Sequence, residues 1–76
     1  MESFSVRLKS IGDVKEFVRI VNSFDHDVDL VSGRYIVDAK SIMGIFSLDL
    51  TGPIKVEVHD DAGLQLREKL LEFISL

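Results

Sequence analysis

The chain has 76 residues, no cysteine, and 9 Lys and Arg against 13 Asp and Glu, for a net charge of −4. A chain this short makes one domain, expected to span residues 1–76, that buries only about 60% of its unfolded surface, so a surface that docks on partners is expected rather than a deep pocket. Its acidic balance excludes the basic footprint of a nucleic-acid binder, its missing thiols exclude disulfides and cysteine-ligated zinc, and no apolar run approaches the roughly 18 residues of a membrane span. Met1-Glu2-Ser3-Phe4 lacks the basic-then-apolar start of a secretory signal, so a reducing cytoplasm is the expected location.

From Ser3 to Lys9 apolar and polar residues alternate, with Phe4, Val6 and Leu8 on one side, which predicts a half-buried strand. Ser10, with Asp13 three residues on, reads as a capping-box helix start. Val14, Phe17, Val18 and Val21 then give an amphipathic helix to about Phe24. Asp25-His26-Asp27 is a polar turn. Val28–Val31 and Tyr35–Val37, separated by Ser32-Gly33, predict a hairpin. Ser41 opens a short helix running to Leu48. Thr51-Gly52-Pro53 breaks the chain before a strand carrying Ile54, Val56 and Val58. Asp60 or Asp61 is expected to cap a last helix whose buried face is Leu66, Leu70, Phe73 and Ile74. The order is βαββαβα, an α+β sheet with helices on one face. Pattern alone leaves a ferredoxin-like fold open, since it shares the βαββαβ core.

In the short helix Ile42, Met43 and Phe46 fall on one side, and Ile45 and Leu48 on the other. Both sides cannot face a single core, so one set is expected at the surface as a docking patch.

Lys40-Ser41-Ile42-Met43-Gly44, continued by Ser47-Leu48 and preceded by a strand at the right distance, resembles the second-helix signature of HPr, the histidine-containing phosphocarrier family. The resemblance runs through nearly the whole chain, ungapped from Ser10 to Leu48. It implies an open-faced β-sandwich of four antiparallel strands with three helices on one face. It also implies that the exposed set is Ile42, Met43 and Phe46. Separately, the sequence has no Ser-His-Asp spacing, Gly-rich phosphate loop or HExxH, so no enzyme activity, cofactor or metal is expected. The family pattern at the first helix is Gly-Ile-His-Ala-Arg-Pro-Ala, and an ungapped count puts Ser10 in the histidine's place, Gly12 in the arginine's and Asp13 in the proline's. A phosphoserine ester is too stable to relay phosphate as phosphohistidine does. The family's regulatory serine, which in many Gram-positive bacteria an ATP-dependent HPr kinase phosphorylates before the protein docks on a transcription regulator, falls on Ser41.

The two histidines, His26 in an acidic turn and His59 before Asp60-Asp61, are expected at the surface, away from the first site and not on a metal. The expected function is therefore an HPr-like regulatory docking module of the sugar phosphotransferase system, controlled through Ser41. Its expected partners are HPr kinase, a transcription regulator or an Enzyme I-like protein, without nucleic acid or membrane insertion. The alternatives are a phosphocarrier with an unexpected acceptor and a divergent ferredoxin-like ligand-sensing domain.

Overall fold

The computed structural model describes residues 2–74; Met1 and Ser75–Leu76, the ends of the expected domain, lie outside it. Four strands, β1 (Glu2–Val6), β2 (Val28–Ser32), β3 (Tyr35–Asp38) and β4 (Ile54–Val58), form one antiparallel sheet in the order β1-β4-β2-β3. Three helices connect or follow them: α1 (Ile11–Asn22), α2 (Ile42–Phe46) and α3 (Gly63–Lys69), the last succeeded by a 3-10 turn at Leu71–Phe73.

The strand order explains the helices' positions. β4 pairs with both β1 and β2, so β1 and β2 run parallel with β4 between them, and α1 is the crossover. In the same way β2 separates β3 from β4, and α2 is the crossover. Two split βαβ units thus share one sheet. With β1 at an edge rather than in the centre, the arrangement departs from the ferredoxin-like order and matches the open-faced sandwich expected from the resemblance.

Period-2 alternation decides which strand face is covered. Val28, Leu30, Ile54, Val56, Val58 and Val6 are buried, and they pack against Val14, Phe17 and Val21 of α1, Ile45 of α2, and Leu66 and Leu70 of α3. Phe17 meets Phe73 edge to face, with ring centroids 6.1 Å apart. Gly33, at φ +60°, takes the first central position of the two-residue β2–β3 turn, where the strand twist requires positive φ.

Element ends differ from the sequence reading in several places. β1 stops at Val6 because the edge beyond it is taken by the C-terminal segment: the Arg7 N–H donates to the Phe73 carbonyl at 2.8 Å, and Ile74 bridges Val6. α1 ends at Asn22 and α2 at Phe46, each closed by a serine N–H donating back into the last turn. Neither Asp60 nor Asp61 caps α3, whose N-cap is Ala62 without a side-chain bond. The Asp60 carboxylate instead accepts the N–H of Ala62 itself, at 2.9 Å, closing the loop out of β4. Finally, Phe73 is buried from the 3-10 turn and Ile74 is half-buried at the bridge, so the last apolar stripe spans three local conformations rather than one helix.

Candidate functional site

Ser10 and Ser41 are the N-caps of α1 and α2, both in extended backbone, and both use the hydroxyl oxygen the same way. Ser10 Oγ accepts the Asp13 N–H at 3.0 Å, and Ser41 Oγ accepts the Gly44 N–H at 3.1 Å. Each satisfies one of the donors left unpaired at a helix start.

Their surroundings differ. In the first turn of α1, the Asp13 carboxylate reaches back to the Lys9 N–H at 2.9 Å, one residue before the cap rather than at it. A negative group thus occupies the start of α1. The first turn of α2 holds no acidic residue, and Ser41 is exposed. An anion added at Ser41 meets no carboxylate within the first turn of α2, although the Asp38 carboxylate holds the Lys40 N–H just before the cap, whereas Ser10 faces Asp13 inside its own helix.

α2 splits its apolar residues as its period demands. Ile45 is wholly buried under the sheet's helical layer, whereas Met43 is 82% exposed, Phe46 46% and Ile42 36%. The helix lies tight on the sheet at Gly44, where a side chain would crowd Val37 and Ser41. Phe46 continues the apolar surface into a groove of about 590 Å³ between the start of α1 and the end of α2, lined by Leu8, Ser10, Ile11, Val14, Leu50 and Thr51, with Arg7 and Lys9 on its rim. Ser10 and Phe46 thus share one groove, while Ser41 lies at the other end of α2.

Ile11, 63% exposed beside Ser10, belongs to this surface but was not among the residues the sequence singled out. Its place in the register of Val14, Val18 and Val21 reads as core. The covering layer stops before reaching it, and only its position directly after the cap serine hinted at that.

Neither histidine reaches the groove. His26 Nδ1 contacts the Asp60 carboxylate, and His59 Nε2 lies 2.7 Å from Asp29 Oδ2. Both pairs sit where α1 ends, β4 ends and β2 begins. α1, with its 12 residues, stands about 18 Å long between that end and Ser10. The bond to Asp29, together with the charges of Glu57 and Asp27, raises the pKa of His59 above its usual range. The Ala62 N–H, then His26, lower that of Asp60. Among the described residues, no group of three or more acidic or histidine side chains is arranged to hold a metal, and no helix is long and apolar enough to cross a membrane.

Residues 13–75 match the family described as the PTS HPr component phosphorylation site, a span that leaves Ser10 outside and includes Ser41. No curated protein matches. Among solved structures, HPr-C-His from Thermoanaerobacter tengcongensis superposes with a TM-score of 0.83 at 23% identity, covering 97% of this chain and 91% of that one. The phosphocarrier protein HPr of Bacillus anthracis str. Ames gives 0.80 at 23% identity, covering 97% and 96%. The catabolite repression protein Crh of Bacillus subtilis, described as a swapped, intertwined dimer, gives 0.67 at 29% identity, covering 88% and 78%. The superpositions establish a common fold, and the match over residues 13–75 establishes the relationship. The chain belongs to the HPr family of the phosphotransferase system, a family of phosphocarriers rather than enzymes.

Proposed function

We propose that this chain, acting as one HPr-like domain, is a regulatory docking module rather than a histidine phosphocarrier, and that phosphorylation of Ser41 controls it. The observation that carries this reading is the contrast between the two cap serines. Ser10, at the family's phosphohistidine position by ungapped count, lies beside the Asp13 carboxylate, and both histidines are engaged with aspartates at the far end of the sheet. Ser41 has no acidic residue in its helix's first turn and precedes the exposed Ile42, Met43 and Phe46.

The physics of such a switch is direct. An apolar side chain buried by a partner contributes up to about 1.5–3 kcal/mol. A phosphate at Ser41 would bring a charge of roughly −1.5 to −2 to the edge of that patch. It would oppose burial of Met43 and Phe46 against an apolar partner and add charge-assisted bonds to a partner presenting arginine. The partners this reading names are HPr kinase, a transcription regulator and an Enzyme I-like protein. The chain would need no cofactor and would work in the cytoplasm.

The test is a calorimetric titration against Enzyme I and against an HPr-binding transcription regulator, with unmodified and Ser41-phosphorylated protein. Binding to at least one of them, lost in Phe46→Asp and altered by the phosphate, is the expected result. Acid-labile label transferred from phosphoenolpyruvate through Enzyme I would instead make the chain a carrier and overturn the proposal.

A further inference from the structure

Lys40, the residue before Ser41, has each of its polar groups bound to a different neighbour. Its N–H donates to Asp38 Oδ1 at 2.9 Å. Its carbonyl accepts from Asn22 Nδ2 at 3.2 Å, and its ammonium donates to the Phe24 carbonyl at 2.7 Å. Asn22 is itself anchored, because the same amide nitrogen donates to the Val18 carbonyl at 2.9 Å, one turn back in α1. The Ser41 N–H donates in turn to the Asp38 carbonyl at 3.0 Å.

Half-buried lysines are uncommon unless paired, and this one is paired with the Phe24 carbonyl just beyond the C-cap of α1, near the negative end of the helix dipole. Two side chains from opposite sides of the contact, Asn22 from α1 and Lys40 from the β3–α2 junction, thus close a reciprocal clasp. What it fixes is the Lys40–Ser41 peptide. The Ser41 hydroxyl is then placed by that peptide on one side and by its bond to the Gly44 N–H on the other.

We propose that Asn22 and Lys40 are positioning residues that lock the Lys40–Ser41 peptide to the end of α1 and thereby set the rate at which Ser41 is phosphorylated. The inference rests on the reading of Ser41 as a kinase substrate. In phosphoryl transfer from ATP, the serine oxygen attacks the γ-phosphorus, the bond to the ADP oxygen breaks, and the hydroxyl proton passes to a base of the kinase. The substrate contributes little beyond the position of that oxygen. The exposed docking residues Met43 and Phe46 lie further along α2 and are untouched by the clasp, so its loss acts on turnover rather than on capture.

The test uses the full chain with an HPr kinase and ATP, together with amide hydrogen exchange. Asn22→Ala and Lys40→Met are expected to lower kcat about three- to tenfold, the worth of one or two lost hydrogen bonds, with KM nearly unchanged. They also speed exchange at Gly44 and Ile45, whose N–H groups are held by Ser41, while the Leu30 and Val56 amides of the central strands stay protected. Lys40→Arg, which keeps a cationic donor, restores the rate. Val56→Ala, which weakens the core far from Ser41, leaves kcat unchanged. Wild-type rates and exchange in both clasp variants, or an equal slowing in Val56→Ala, would overturn the inference while leaving the Ser41 reading intact. A wild-type chain that takes no phosphate from an active kinase would instead overturn the Ser41 reading, and the positioning role with it.

Discussion

Gly44 lies so close to Val37 that a Cβ added to the glycine would stand 3.3 Å from the valine Cβ and 3.3 Å from Ser41 Oγ. This contact lets α2 sit on the sheet with Ile45 fully buried and Ser41 at its cap. Replacing Gly44 with alanine would gain up to about 1 kcal/mol of helix propensity. Both neighbours are fixed, however, Val37 by its pairing with Leu30 and Ser41 by its bond to the very residue replaced. Overpacking of this kind costs about 1–3 kcal/mol, so Gly44→Ala should destabilise by about 1 kcal/mol net. Urea unfolding measures it, and a rise in the midpoint would show that α2 can lift from β3 without penalty.

At α1 the cap serine and the acid three residues on cooperate, with Asp13 holding the Lys9 N–H while Ser10 holds the Asp13 N–H. Ser10→Ala should cost about 1 kcal/mol of unfolding free energy, the usual worth of a serine cap. Unchanged stability would mean that Ser10 is not there to close the helix, and its role would have to be sought in chemistry.

Much of this was legible in the sequence because it depends on local period. The alternation Ile54-Val56-Val58 and the i, i+3, i+4, i+7 spacing of Val14, Phe17, Val18 and Val21 require nothing beyond neighbours, and the structure buries those positions with only Val18 partly exposed. That α2 divides into an exposed and a buried side also follows from spacing, while the family resemblance indicated that the side of Met43, not that of Ile45, is the exposed one. What was not legible depends on distant partners. No local pattern shows that Phe73 and Ile74 leave the helix to cover the β1 edge, because that edge is unsatisfied only in the assembled sheet. Nor does sequence place Asn22 beside Lys40, 18 residues away, or show that Ile11 runs out of core to pack against.

The His59–Asp29 pair gives stability a pH dependence whose sign can be worked out. The aspartate raises the histidine's pKa in the folded chain above its unfolded value near 6.5. The protonated form is thus the one favoured by folding. The contribution is fully present below about pH 6.5 and is lost as pH rises through the raised folded value. Thermal melts across that window should show Tm falling with pH in the wild type, with a shallower fall in His59→Gln. A flat profile in the wild type, or the same slope in the variant, would contradict the pairing.

Met43 is exposed enough that its loss should not matter to the fold. Met43→Asp is expected to change unfolding free energy by less than about 0.5 kcal/mol. It should weaken partner binding about tenfold or more, since a desolvated charge replaces an apolar contact at the patch. Calorimetric titration beside a urea melt separates the two effects. A variant that unfolds early would place Met43 in the core, and one that binds normally would remove it from the docking face.

The central claim is that the start of α2, not the start of α1, is where this chain is read. Intact-mass measurement after incubation with ATP and an HPr kinase tests it most directly, with Ser41→Ala alongside. The account predicts a single added phosphate in the wild type and none in the variant. An unmodified wild type beside a fully phosphorylated HPr control, or a phosphate that persists in Ser41→Ala, would contradict it.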